Sequence, residues 1–70
     1  MPMSYAIAIT RAAKLAQRHA TEYHVVWDCA YFPEYPRQQC YDTASDYDLE
    51  TFYAGLNPVA TLLPDGSLEH

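Results

Sequence analysis

Three rhythms of apolar and polar positions divide the chain. From Tyr5 to Ala20 the apolar residues follow a helical repeat, and the Ala, Leu, Arg, Lys and Gln content, free of Gly and Pro, favours helix. Ser4 stands where an N-cap belongs. At about 100° per residue, Leu15, Ala8, His19, Ala12, Tyr5, Ala16, Ile9, Ala20 and Ala13 share one arc, which is predicted to face the core. Five alanines on that arc let the helix sit close to its support. Thr10, Gln17, Lys14, Ile7, Arg18 and Arg11 lie opposite, with the three cations within about 60° of one another.

From Glu22 to Tyr31 the rhythm changes to strict alternation. Tyr23, Val25, Trp27, Cys29 and Tyr31 point one way, and Glu22, His24, Val26, Asp28 and Ala30 point the other, as in a half-buried strand. Two prolines in Phe32-Pro33-Glu34-Tyr35-Pro36-Arg37 break it, and Gln38 to Asp42 is predicted to return as the second strand of a hairpin. Ser45 then signals a helix start, with Asp48 in a capping-box position and Asp46 near the positive helix end. Leu49, Phe52, Tyr53 and Leu56 carry the buried face of this helix, and Gly55 and Asn57-Pro58 mark its end. Val59 to Leu63 reads as a third strand, closed by the turn Pro64-Asp65-Gly66.

The predicted order is α-β-β-α-β. It implies a two-layer α+β domain in which two helices cover one face of a three-stranded sheet. The hairpin is antiparallel; the partner and direction of the third strand stay open. Residues 1–67 form a single domain in this reading. Leu68-Glu69-His70 reads as a cloning-site and tag remnant, set aside from the fold and from the choice of ligands.

Length and charge then narrow the function classes. A chain of 70 residues has a small core from which to spare a cleft, which lowers the expectation of an enzyme. The net charge of −5 disfavours a general nucleic-acid or anionic-membrane binder. The charge is unevenly placed: residues 1–20 hold Arg11, Lys14 and Arg18 with no acid, for +3, and residues 21–70 hold Arg37 against nine acids, for −8. No apolar run approaches the roughly 18 residues of a membrane helix. Cations occupy the N-terminal region where a signal peptide has its apolar centre, so a soluble cytoplasmic protein is expected.

Candidate chemistry changes this picture little. If the hairpin loop is Pro33 to Pro36, Cys29 lies directly across from Cys40, close enough for a redox pair or a strained disulfide. That register also turns Gln38 and Asp42 inward beside Tyr31 and Trp27, whereas a one-residue shift buries Tyr41 and sends Cys40 outward. The shifted register packs better, so two separate thiols in a reducing compartment are expected. No short recurring ligand spacing indicates zinc, and no local motif supports a cysteine nucleophile with a histidine base. Asp42, Asp46, Asp48 and Glu50 do not match a calcium loop, and capping accounts for Asp46 and Asp48. Two glycines provide no phosphate-binding loop, and no cofactor is implied.

Seven tyrosines exceed what a small core absorbs, since each buried hydroxyl wants a partner. Tyr31, Phe32, Tyr35 and Tyr41 gather around the proline-stiffened loop and are the expected contact surface, together with the Arg11, Lys14 and Arg18 stripe. The expectation is a non-enzymatic protein-interaction module whose partner is another protein or a second copy of itself. The alternative is a single-stranded nucleic-acid binder that stacks bases on tyrosines and holds phosphates with Arg11, Lys14, Arg18 and Arg37. Thiol redox or thiol-dependent catalysis through Cys29 or Cys40 is a third option.

Overall fold

Helix α1 (Tyr5–His19) forms where the periodicity places it, with the Ser4 hydroxyl accepting from the Ile7 N–H at 3.4 Å. The computed structural model that shows this describes residues 2–69. Ala8, Ala12 and Ala16 are fully buried, while Ile7, Arg11, Lys14 and Arg18 face solvent. Ala20 closes the helix in the left-handed region, at φ 53°, where a Cβ is strained.

Strand β1 (Tyr23–Trp27) is central, with β2 (Tyr41–Ala44) and β3 (Ala60–Leu62) antiparallel on either side. The third strand thus pairs with β1, opposite His24 and Val25 at Thr61 and Ala60. Both outer edges are blunted by single bridges. Met3 exchanges two backbone hydrogen bonds with Tyr41 beside β2, and Leu68 bridges Leu62 beside β3. The Glu69 N–H donates to the Thr61 carbonyl at 2.8 Å, so Leu68 and Glu69, set aside on sequence, pair with the sheet. His70 lies outside the described residues.

The α+β class, the element order and the three-stranded sheet agree with the sequence reading. The layering is different from the one expected. Ala8, Ala12 and Ala16 of α1 pack with Met3, Val25 and Leu62 on one face of the sheet. A second cluster, Val26, Ala44 and Tyr53 with Phe32, Leu49 and Leu56, lies on the other face. Val25 and Val26 are both fully buried, and adjacent strand residues point to opposite faces, so each face requires its own cover. Helix α1 supplies one cover; the short helix α2 (Asp46–Glu50), the turns after it and the hairpin loop supply the other.

Helix α2 is shorter than the apolar spacing predicts. Its capping box forms with Asp in place of Glu: Asp48 N–H donates to the Ser45 hydroxyl, and Ser45 N–H donates to the Asp48 carboxylate at 3.0 Å. At Thr51 the backbone leaves the helical region, and the Tyr53 N–H reaches back five residues to the Asp48 carbonyl. The repeat is lost there, so Phe52, expected in the core, is 66% exposed while Tyr53 is buried. The strands are trimmed as well. A one-turn 3-10 helix (Arg37–Gln39) replaces the expected start of the second strand, and β1 ends at Trp27.

Candidate functional site

Asp28 ends β1 and builds the loop that follows. Its carboxylate accepts from the Ala30 and Tyr31 N–H groups at 3.0 and 3.1 Å, a local turn that competes with strand extension. The hairpin adopts the shifted register, with Trp27 opposite Tyr41, but Tyr41 is only half-buried and Cys40, expected to point outward, is fully buried. The cysteines are nevertheless joined in a disulfide with Cα atoms 5.2 Å apart, which corrects the expectation of two separate thiols. The inference of separation assumed continued alternation through residue 31; the Asp28 turn stops it and brings Cys29 back over Cys40.

The closed loop carries an aromatic cluster. Tyr31 meets Phe32 edge-on at 4.9 Å and Tyr53 at 5.4 Å, and Phe32 meets Tyr35 at 6.3 Å. Tyr31 and Tyr35 stay exposed, and a shallow cleft of about 300 Å³ runs along residues Tyr31 to Tyr35. Phe32 anchors the loop in the cluster that contains Val26 and Tyr53, on the α2 side of the sheet. Exposed Tyr47 and Phe52 belong to the α2 segment on that side, as do Asp46 and Glu50.

Tyr41 does not join this surface. It lies on the α1 face, half-buried, with its ring 5.3 Å from that of Tyr5. Arg11, Lys14 and Arg18 all stand on the outer side of α1, where Arg11 and Lys14 line a shallow depression of about 370 Å³ with Ala6, Ile7 and Thr10. Among the described residues none of the three forms an ion pair. Arg37 is engaged elsewhere: its guanidinium lies 5.5 Å above the Trp27 ring and its carbonyl accepts from the Trp27 indole at 2.8 Å. The predicted contact residues therefore divide between the two sides of the sheet.

Buried polar groups mark the α2 face as chemically distinct. Tyr53 donates to the Asp42 carboxylate at 2.6 Å. Burial, followed by that hydrogen bond, pushes its hydroxyl well above the usual tyrosine range. His24, only 6% exposed and second in the central strand β1, is held at both ring nitrogens: Nδ1 lies 2.9 Å from the Thr61 hydroxyl and Nε2 lies 2.6 Å from the Asp46 carboxylate. A carboxylate only accepts, so Nε2 carries the proton that points to Asp46. The Glu22 carboxylate joins them, with one oxygen or nitrogen from each of Glu22, His24 and Asp46 all within 4.8 Å of one another.

Thr61, His24 and Asp46 have the order of a nucleophile, base and orienting acid, but their exposure runs the wrong way. Asp46 is the solvent-facing member, its side chain 68% exposed, and Thr61 is the half-buried one. A nucleophile needs the opposite arrangement. Sequence alone gave one part of this cluster, Glu22 and His24 on one strand face. Asp46 joins from 22 residues away because it follows Ala44, the β2 partner of His24.

The molecule so described is a small α+β domain with a disulfide-closed aromatic loop and a three-residue His-carboxylate cluster. Comparison with protein-family models, curated proteins and solved structures finds no match. No helix among the described residues is long and apolar enough to cross a membrane.

Proposed function

We propose that this protein is a non-enzymatic interaction module that associates with further copies of itself, the basic outer side of α1 of one copy meeting the acidic aromatic side of the next. The observation that carries this reading is the segregation of unpaired charge. Arg11, Lys14 and Arg18 flank exposed Ile7 beyond one face of the sheet, while Glu34 and Glu50 accompany Tyr31, Tyr47 and Phe52 on the other. Each surface offers what the other lacks: carboxylates for the cations, and tyrosine rings for the guanidinium groups.

Two unlike surfaces on opposite sides make a head-to-tail contact, which leaves a free surface at each end and continues into rings or chains. Solvent-facing ion pairs contribute about 0.2–1 kcal/mol each, so the association is weak and sensitive to salt. The aromatic loop supplies the remainder, and its disulfide and two prolines reduce the ordering cost of binding. The placement of exposed Tyr31, Tyr35 and Tyr47 on the side away from the α1 cations favours this reading over a nucleic-acid track using both. Full burial of Cys40 favours a structural staple over a redox centre. A closed staple fits an oxidising compartment and open thiols fit the cytoplasm, and thiol titration of protein taken from its native host distinguishes them.

Sedimentation velocity at about 0.01 M and about 1 M salt, where the screening length falls from about 30 to about 3 Å, tests the proposal. Species heavier than a dimer at low salt, dissolving at high salt, are expected. A monomer at every concentration and salt overturns it.

A further inference from the structure

We infer that Glu22, His24 and Asp46 form a binding site for a divalent transition-metal ion, with zinc as the ion that suits its ligands. The site is independent of the self-association proposed above. One imidazole and two carboxylates are zinc donors, and three protein ligands with a fourth position left to water is a recurrent arrangement for this metal. Tetrahedral ligation at about 2.0–2.1 Å requires donor atoms roughly 3.3 Å apart. Here His24 Nε2 and the Asp46 carboxylate are 2.6 Å apart and one donor atom from each of the three residues lies within 4.8 Å of the others, so shifts of about an ångström close the shell. The movable members are the ones required to move: Asp46 is exposed and Glu22 half-exposed, while His24 is fixed in the central strand.

Charge points the same way. Glu22 and Asp46 bring two formal negative charges to one imidazole, and no Lys or Arg ion pair among the described residues offsets them. A divalent cation would. Thr61 supplies the outer support. To ligate through Nε2, His24 must move its proton to Nδ1, and the Thr61 hydroxyl, 2.9 Å away, can switch from donor to acceptor as this happens. Metal binding therefore exchanges the tautomer without stranding a buried nitrogen.

Zinc titration of the full chain by calorimetry, paired with nitrogen-resolved NMR of the imidazoles, tests the site. One zinc per chain is expected, with the His24 Nε2 resonance moving and Nδ1 becoming the protonated nitrogen. Glu22→Gln and Asp46→Asn, both at accessible carboxylates, should each weaken binding at least about tenfold, and Thr61→Val should weaken it about 10–100-fold through loss of the supporting hydroxyl. His24→Gln should abolish it; if that variant fails to fold, the two carboxylate variants still decide. Zinc that shifts His19 or His70 while leaving His24 unmoved, or affinity unchanged in Glu22→Gln/Asp46→Asn, overturns the inference.

Discussion

The two faces of this sheet are covered by different physics. On the α1 face, three alanines one helical turn apart press a regular helix onto Val25 and Leu62, and the packing is apolar and periodic. On the other face, a five-residue helix, a string of turns and a loop are held by particular bonds: Tyr53 to Asp42, His24 to Thr61 and Asp46, Cys29 to Cys40. Small residues build a cover from shape alone. Where the covering segment is too short to bury much apolar area, bonds between residues distant in sequence take over, and the buried polar groups gather on that side.

Removing the staple should have the largest effect. Cys29→Ser/Cys40→Ser opens a loop of separation 11 and should cost about 3 kcal/mol in urea denaturation, by the chain-entropy account. The same variant should preserve the α1 face, read as unchanged backbone chemical shifts along Ala8, Ala12 and Ala16. Overfilling the other side gives the converse. Ala12→Leu places a bulky side chain where α1 approaches the sheet and should cost about 1–3 kcal/mol, with the loop and its disulfide intact.

Next comes Tyr53→Phe, which leaves the Asp42 carboxylate without its donor and should cost about 1 kcal/mol. Its pH signature is specific. The folded tyrosine holds its proton to higher pH than the unfolded one, so its contribution is complete below pH ~10 and fades as pH rises beyond that. Stability measured between pH ~9 and ~11 should therefore fall more steeply in the wild type than in Tyr53→Phe. Parallel slopes would show that Tyr53 is not held by burial and Asp42. The smallest effect is a gain: Ala20→Gly relieves the left-handed residue after α1 and should stabilise by about 0.5–1 kcal/mol.

Legibility in the sequence follows the same division. Helix α1, its cap and its buried Ala8, Ala12 and Ala16 are local features with a single period and stand where the residues put them, but the buried stripe is shorter than the predicted arc, whose members at the helix ends, Tyr5, His19 and Ala20, are exposed. The Ser45 capping box and the Pro64-Asp65-Gly66 turn are equally local. The layering was obscured because the alternation from Tyr23 to Tyr31 reads as a one-sided strand, although Val25-Val26 already placed apolar residues on both faces. Helix α2 was overextended because Leu49, Phe52, Tyr53 and Leu56 keep helical spacing past the point where the backbone departs. The disulfide turned on one side chain, Asp28, capping two amides and ending the alternation. Tyr31, Phe32 and Tyr35 were legible as a cluster because they are neighbours in sequence, whereas Tyr41 belongs to the other face by register. The His24 cluster needs the pairing of β1 with both neighbours, which no local pattern encodes.

The claim that the two faces recognise each other is tested most directly by disabling them separately. Arg11→Gln/Lys14→Gln/Arg18→Gln removes the basic surface, and Glu34→Gln/Glu50→Gln weakens the acidic aromatic one. None of these side chains forms an ion pair among the described residues, so both variants should fold as the wild type does. Sedimentation at low salt should find each variant monomeric alone and an equal mixture of the two forming dimers and nothing larger, because each supplies the surface the other has lost. A mixture that stays monomeric, or either variant assembling alone as the wild type does, would contradict the account.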